Sequence, residues 1–159
     1  NTGMNYQLDE IDKKILDFLV ESTRMPFTEI AKQMDVSAGT IHVRVKKMED
    51  AGIILGSSLN IDYGKLDYHF TAFIGILLTK SNRTQEVLTE LASIPNVVEA
   101  SVISGKYNIF CKVRAKNTED AKRIIYQIDD IQDVMRTESM ISMEEFLSDK
   151  NRLINAISV

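Results

Sequence analysis

The second half of this 159-residue chain contains a weak internal repeat, and that repeat restricts the fold more than any other feature. Each copy runs from an apolar stretch typical of a buried strand, through a helix-spaced stretch, to a second strand pattern. The strand, helix and strand stretches are 70–78, 82–93 and Val97–Ser104 in the first copy, and Asn108–Val113, 118–130 and Val134–Ser142 in the second. Two such units in tandem predict a ferredoxin-like βαββαβ domain, a sheet with both helices on one face.

The first fifty residues follow helical spacing instead. Their apolar positions predict one helix over 9–21 and a shorter one over 27–34, with Pro26 at the start of the second, where proline is tolerated. Ser37 is a good N-cap for a third helix, and Gly52 is a natural stop for it. A short helix, a tight turn and a capped helix make a helix-turn-helix, whose second helix lies in the DNA major groove.

Glycine marks the boundary between these two patterns. Three of the seven glycines fall between Gly52 and Gly64, where helical spacing gives way to an extended stretch that begins at Ile53. We therefore expect an α+β protein with an N-terminal helix-turn-helix (winged-helix-like) domain, a hinge strand, a sheet domain and a C-terminal tail. The expected bounds are, in that order, 4–52, 53–65, 66–143 and 144–159.

Composition argues against several classes of protein. A single cysteine, Cys111, allows no disulfide within one chain, and with two histidines it cannot complete the usual His/Cys zinc site. The longest uncharged stretch near the middle, Tyr68–Thr79, is about half of the ~20 residues that a membrane-spanning helix needs. The absence of a signal-peptide pattern and the low cysteine usage predict a cytoplasmic protein without membrane contact. The net charge of −4 leaves room for a local basic patch.

A helical wheel on residues 38–51 divides the third helix into two faces. The face expected in the core carries Ile41, Val45 and Met48. The opposite face carries Gly39, His42, Val43, Lys46 and Lys47, with Arg44 at its edge. No acidic residue occurs from Val36 to Met48, so the exposed face is positively charged and is a candidate DNA-binding surface. The alternative is a solvated helix, because lysines near a helix C-terminus are favourable for the helix dipole alone.

The residue types on this face suggest separate roles. Thr40, His42 and Val43 are expected to contact base edges, and the apolar Val43 suits a thymine methyl. Gly39 leaves room for close approach at the helix start, where free amides and the helix dipole favour a phosphate. The residues expected mainly to hold phosphates are Ser37, Arg44, Lys46 and Lys47.

The chain resembles the leucine-responsive and asparagine-responsive regulators, the Lrp/AsnC family, and is most similar to the asparagine-responsive type. Val36–Ile54 resembles the family's recognition helix and hinge, and Leu8–Leu16 resembles its first helix. Ser104–Phe110 matches its Gly-x-Tyr loop, and Thr137–Ser139 matches a segment of its last strand. The resemblance covers about residues 7–145, with both domains in the family's order. It implies that the βαββαβ domain is the family's amino-acid-sensing (RAM/ACT-like) domain.

The resemblance also implies an assembly and a ligand. The family forms homodimers through the hinge strand, here Ile53–Ile61, and through the sheets, and the dimers often assemble into rings of four, which gives an octamer. A dimer with two recognition helices implies an approximately palindromic site in double-stranded DNA. The family requires no cofactor but binds a small effector, usually an amino acid, between dimers near the Gly-x-Tyr loop.

Two groups of residues are expected to hold this effector. The first is the loop Ser104, Gly105, Lys106, Tyr107 and Asn108, whose free amides would supply donors to an α-carboxylate. The second is Thr137 and Ser139, which alternate on one face of a strand and offer acceptors to an α-ammonium. The alternatives are that Gly105 only makes a turn between two strands and that the hydroxyls are ordinary strand side chains.

One position departs from the family pattern. Many members have Asp after the aromatic residue of the loop, whereas this chain has Asn108, a neutral dipole in place of a charge. Asparagine-type members also lack the Asp. The effector therefore need not be a simple hydrophobic amino acid, and weaker binding or no binding stays open as an alternative.

Other functions stay open at this point. An architectural DNA-binding protein would use the same helix and hinge with no effector, and a pure sensing module would control a partner protein without DNA. Catalysis finds no support, because the chain has no nucleophile elbow, phosphate-cradling loop or metal-ligand cluster. We expect a transcriptional regulator that is not an enzyme.

Overall fold

The computed structural model describes residues 6–159. The predicted start of the first domain at residue 4 lies outside this range. The chain divides into two compact units, one that extends to Asn60 and includes Leu147–Val159, and one that comprises Ile61–Phe146.

Three helices form most of the first unit: α1 (Glu10–Glu21), α2 (Phe27–Met34) and α3 (Ala38–Asp50). The predicted helices are all present, within one residue of their expected ends. Asp9 caps α1 in a reciprocal capping box with Asp12. The turn between α2 and α3 begins at Asp35, whose φ of 55° lies in the left-handed region. No strand follows α3 within the described residues of this unit, so the helix-turn-helix has no wing hairpin there.

Apolar stripes of the three helices close the core of the first unit. Its buried members are Ile15, Leu16, Ile30, Ala31, Ile41, Val45 and Met48. A 3-10 helix (Lys150–Ala156) from the C-terminal end of the chain adds to it, because Ile154 packs against this cluster. The tail predicted for 144–159, which the sequence left open between a short helix and a packed segment, therefore contributes a short helix that packs on the first unit.

The second unit is a four-stranded antiparallel sheet with two helices. Its elements are β1 (Phe70–Leu78), α4 (Thr84–Ala92), β2 (Val97–Val102), β3 (Ile109–Ala115), α5 (Thr118–Asp129) and β4 (Val134–Ile141). The strand order is β2-β3-β1-β4, which is the predicted ferredoxin-like βαββαβ topology. Two 3-10 turns, Tyr63–Leu66 and Ser81–Arg83, lead into β1 and α4.

The two faces of this sheet differ. The face under the helices carries the buried core, which includes Ile74, Ile76 and Cys111 together with Val87 of α4 and Ile124 of α5. The opposite face, here called the open face, carries the alternate strand positions. On it, the rings of Phe73 and Phe110 stack with centroids 6.0 Å apart, and Gly75 lies beside Phe110 in the β1–β3 register.

The segment predicted as a hinge strand has no strand partner within residues 6–159. Residues 55–62 form no helix or ladder, and Leu55 and Leu59 are 93% and 70% exposed. Pairing of Ile53–Ile61 with a second copy therefore stays a prediction.

Candidate nucleic-acid interface and effector site

The exposed face of α3, here called the α3 surface, consists of Gly39, His42, Val43, Lys46 and Lys47. All five are exposed, whereas Ile41, Val45 and Met48 are buried, so the division expected from the helical wheel is present. Val43 is 54% exposed although it is apolar. Val43 shares this face with Lys46 and Lys47. Because burying apolar area is favourable, a partner that covers Val43 would gain binding free energy.

The first turn of α3 is held by its own hydroxyls. Ser37 Oγ accepts the backbone N–H of Thr40 at 3.1 Å, and the two hydroxyl oxygens are 2.9 Å apart. Ser37 is exposed and Thr40 is half-buried. The ring of His42 meets the ring of Phe27 edge-on, with centroids 4.6 Å apart, so α2 restricts where this histidine points.

The three cations of α3 differ in their partners. Lys46 Nζ lies 2.7 Å from Asp50 Oδ1 in an exposed pair one turn away, and this hydrogen bond raises the pKa of Lys46. Lys47 forms no ion pair with any residue of the described chain. Arg44 points to α1, where its guanidinium pairs with Asp9 and Asp12. The structure thus separates Arg44 from the other residues expected to hold phosphates.

The loop between β2 and β3 contains the five residues expected to bind an effector. Gly105 has a φ of 105°, a conformation that side-chain-bearing residues rarely adopt. The backbone N–H of Ile103 donates to the carbonyl of Asn108 at 3.1 Å and closes the loop. Tyr107 lies over Gly75 on the open face, so closely that a Cβ at Gly75 would stand 2.6 Å from the ring.

Glu138 of β4 joins this loop, and the sequence reasoning did not select it. The Tyr107 hydroxyl donates to its carboxylate, and Lys106 Nζ lies 3.2 Å from Glu138 Oε1. These bonds, the one from Tyr107 first, lower the pKa of Glu138, while the same contact raises the pKa of Tyr107. The sequence feature that could have pointed to Glu138 was its position between Thr137 and Ser139, the two residues that were selected.

Asn108 holds the loop against β1 with both its side chain and its backbone. Its side-chain oxygen accepts the backbone N–H of Leu78 at 2.9 Å, and its backbone N–H donates to the carbonyl of Ile76 at 2.9 Å. The amide therefore extends the contact between β1 and the loop at a point where the ladder ends. This use of the carbonyl oxygen competes with the expected contact between Asn108 and an effector.

Thr137 and Ser139 lie on the other side of the sheet from Tyr107. They pair in register with Ile76 and Ile74, whose side chains are on the helix-covered face, whereas Glu138 pairs with Gly75. Thr137 Oγ1 donates to Asp129 Oδ1 at 2.7 Å. Because neighbouring residues of a strand point to opposite faces, one chain does not bring these hydroxyls and Tyr107 to a common site.

The described chain offers few other groups that could bind a metal ion or react. Residues 6–159 contain no group of three or more His, Cys, Asp or Glu side chains placed to hold a metal ion. Burial raises the pKa of the Cys111 thiol to about 11, so it is protonated at neutral pH. None of the helices in this range is both long and apolar enough to cross a membrane.

Comparison with known proteins gives matches for both parts of the chain. Residues 8–49 match the model of the AsnC-type helix-turn-helix domain, and residues 71–151 match that of the Lrp/AsnC ligand binding domain. The regulatory protein AsnC of Haemophilus influenzae is 40% identical over 140 residues, which are 87% of this chain and 93% of that protein.

Solved structures agree with these matches. The structure of Escherichia coli AsnC has a TM-score of 0.87 and 34% identity, and the match covers 91% of this chain and 98% of that one. A transcriptional regulator of Neisseria meningitidis, solved as a complex with L-Met, has a TM-score of 0.85 with coverages of 91% and 96%. At 18% identity, that second likeness is one of fold alone.

Proposed function

The chain belongs to the Lrp/AsnC family of transcriptional regulators, and from that premise we propose which surfaces bind DNA and sense a small molecule. Its first part is the family's helix-turn-helix domain, and its second part is the family's ligand-binding domain. The protein is therefore a DNA-binding transcriptional regulator modulated by a small effector. We place the helix-turn-helix domain at 4–52, the hinge at 53–65, the sensing domain at 66–143 and a tail at 144–159.

The α3 surface enters the major groove of double-stranded DNA in this proposal. The observation that carries it is an exposed valine between exposed cations, of which Lys47 has no acidic partner in the described chain. Thr40, His42 and Val43 contact base edges. The helix start at Ser37 and Gly39 approaches a phosphate with its free amides. Lys46 leaves its exposed partner Asp50 for a phosphate at little cost, because such surface pairs contribute roughly 0–1 kcal/mol.

The effector in this proposal is an amino acid, as the family's ligand-binding domain and the L-Met complex of the Neisseria relative suggest. Because Tyr107 lies on the open face and Thr137 and Ser139 on the helix-covered face, we assign them to different copies. The loop Ser104–Asn108 of one copy holds the carboxylate, and the two hydroxyls of another copy contribute acceptors. The effector then binds between dimers and favours one assembly over another by its difference in affinity for the two.

Assembly in this proposal begins with a homodimer paired through Ile53–Ile61 and the sheets. Leu55 and Leu59 are the exposed apolar side chains that pairing would cover. Four dimers then form an octamer, a tetramer of dimers in the cytoplasm, without membrane contact or catalysis.

An effector-independent architectural protein is the second candidate. It is favoured by the internal bonding of the loop, since Lys106 and Tyr107 are satisfied by Glu138, and Asn108 by Leu78. An amino acid must compete with these contacts unless it uses the backbone amides alone.

Two experiments test this proposal. Selection from a random duplex library should enrich a near-palindromic sequence, and affinity for it should fall as salt rises, by about 0.9 in log–log slope per phosphate neutralised. Thermal melts with each of the twenty amino acids at millimolar concentration should show stabilisation by one or a few related ones. A ligand at 100 times its Kd adds about 2.7 kcal/mol.

The outcomes separate the two candidates. If the duplex is enriched but no amino acid shifts the melt, and mass spectrometry of the purified protein finds no retained ligand, the architectural function replaces the sensor. If no duplex is enriched, the DNA-contact assignment is wrong. Thr137→Val and Ser139→Ala should each reduce a positive melt shift, whereas Thr89→Val on α4, whose hydroxyl bonds Gln85 O, should not.

A further inference from the structure

We propose that Arg44 is a positioning residue for the recognition helix: an ion pair with Asp12 in α1 sets the orientation of α3, and Arg44 does not contact DNA phosphates. The inference rests on the DNA-contact surface proposed above, and binding of the wild-type protein to its selected duplex tests that surface separately. The arrangement involves three elements of the first unit: α3, the first turn of α1, and Tyr6 ahead of it.

Asp12 is the centre of the arrangement. Its side chain is only 1% exposed, although it carries a carboxylate. Three donors converge on it: the Tyr6 hydroxyl at 3.0 Å, the Asp9 backbone N–H at 3.3 Å and Arg44 Nη1 at 3.4 Å. A carboxylate withdrawn from water is tolerated only when donors and an opposite charge compensate it, and Arg44 is the cation that contacts it here.

Asp9 secures the same guanidinium from the exposed side. Arg44 Nη1 donates to Asp9 Oδ2, while Asp9 Oδ1 accepts the backbone N–H of Asp12 at 2.9 Å as the helix cap. The hydrogen bond to Asp9 raises the pKa of Arg44, and the cap bond, followed by Arg44, lowers the pKa of Asp9. Helix capping and the interhelical pair thus share one carboxylate.

The position of Arg44 makes this pair relevant to DNA reading. Its side chain is only 27% exposed, compared with 70% for Lys46. Arg44 follows Val43 directly and precedes Lys47 by three residues, so anchoring it to α1 restrains the rotation of α3 about its axis. A small rotation would move Val43 and His42 away from base edges together. Arg44 cannot leave for a phosphate without stranding the buried charge of Asp12.

The experiment compares Arg44→Met, Arg44→Lys and Asp12→Asn with the wild-type full chain. Affinity is measured for the selected duplex and for a scrambled duplex of equal length, from 50 to 200 mM salt. The temperature is chosen so that circular dichroism shows every variant to be folded. Lys13→Met is the matched control, because Lys13 also pairs with an aspartate of α1, Asp17 at 2.6 Å, and has no proposed role in DNA contact.

Positioning predicts a loss of specificity without a loss of charge contacts. Arg44→Met should bind the selected duplex about tenfold or more weakly, the loss expected when a base contact is misplaced. Its salt slope and its affinity for the scrambled duplex should stay unchanged, and Arg44→Lys should recover part of the loss. Asp12→Asn should also weaken specific binding, although it removes a negative charge. The double variant that combines Arg44→Met with Asp12→Asn should lose no more than Arg44→Met alone, and Lys13→Met should bind normally.

Two results would overturn the proposal. A fall of about 0.9 in the salt slope of Arg44→Met, with equal losses on both duplexes, would make Arg44 a phosphate contact. Wild-type affinity and specificity in folded Arg44→Met would make the pair merely structural.

Should Asp12→Asn fail to fold, Tyr6→Phe replaces it, because it removes one donor and leaves the ion pair. Because the ion pair stays, Tyr6→Phe should weaken binding to the selected duplex much less than Arg44→Met does. A loss of specificity as large as that of Arg44→Met would show that the Tyr6 hydrogen bond, and not the ion pair, sets the orientation of α3.

Discussion

The α3 surface and the loop around Tyr107 use charged and polar side chains in opposite ways. On α3, Lys47 has no acidic partner in the described chain and Val43 is half exposed, so this surface is open to a ligand. Around Tyr107, the tyrosine hydroxyl and Lys106 are both bonded to Glu138. On the first surface Lys47 and Val43 are left available although Lys46 pairs with Asp50, whereas the charged and polar groups of the second are bonded to one another.

This difference shows what each site needs in order to work. The α3 surface requires only a rigid helix with the correct rotation, because every residue proposed to contact DNA lies in α3 or at its N-cap, Ser37. The loop site combines residues from separate strands, and its two expected halves face opposite sides of the sheet. In the proposed function a second copy of the chain unites them, and assembly would then be part of the sensing site.

The largest effect is expected for Gly75→Ala, which tests whether cross-strand packing builds the loop site. A Cβ at Gly75 would stand 2.6–2.7 Å from three carbons of the Tyr107 ring, so the ring must move away from Glu138. Overpacking of this kind costs about 1–3 kcal/mol, measurable by denaturant unfolding. Adding Gly75→Ala to a Tyr107→Ala background should cost little. An equal cost in both backgrounds would show that the ring is not the obstacle.

A second prediction concerns the two lysines of the α3 surface. Lys47→Ala should lower the salt slope of DNA binding by about 0.9, because it removes one phosphate contact. Lys46→Ala should weaken binding less, because Asp50 remains beside the bound phosphate in the wild type and offsets part of the attraction. Asp50→Asn should therefore tighten binding. Equal losses for the two lysines, with no gain in Asp50→Asn, would show that the pair is irrelevant to DNA.

The sequence predicted those features of the fold that depend on residues close together in the chain. The wheel on α3 placed Ile41 and Met48 in the core and Val43 in solvent, because helical geometry relates consecutive positions directly. The βαββαβ topology followed in the same way from the order of two similar units. The position of Arg44 at the edge of the wheel left its partner open, since Asp12 is 32 residues away in the chain.

Which of the expected effector residues share a face of the sheet depends on strand register, and a single sequence does not reveal that register. Ser139 aligns with Ile74, and Glu138 with Gly75, so a shift of one residue would have reversed the faces. The structural bond from Leu78 to Asn108 likewise arises where β1 and the loop meet. Polar residues selected by motif alone therefore mixed ligand-facing candidates with residues that complete the sheet.

A third prediction separates stability from binding on the α3 surface. Gly39 has no backbone strain, and a Cβ there would meet only Ser37 Oγ at 3.7 Å. Gly39→Ala should therefore stabilise the first unit by about 0.5–1 kcal/mol, because alanine loses less backbone entropy in a helix. If DNA approaches the helix start closely, the same variant should bind its duplex several-fold more weakly. A variant that is both more stable and equally tight would place the DNA backbone elsewhere.

The smallest effect is expected from Glu145, whose ion pairs lie on the open face. Its carboxylate is more exposed to water than that of Asp12 in the first unit. Its carboxylate, about one-third exposed, accepts from Lys112 Nζ and from Arg114 Nη2, each at 2.8 Å. These bonds, the one from Lys112 first, lower the pKa of Glu145. Because the folded pKa lies below the unfolded value of about 4.3, the stabilisation is present at neutral pH and is lost as the pH falls through the folded pKa.

Glu145→Gln should thus be less stable than wild type at pH 7, by at most about 1 kcal/mol because water screens the pair. The difference should shrink as the pH falls below about 4 and vanish once the wild-type carboxylate is protonated. Glu144→Gln is the control, since the neighbouring Glu144 forms no ion pair within the described chain. A Glu145→Gln deficit that persists unchanged in acid would assign the role of Glu145 to packing and not to its charge.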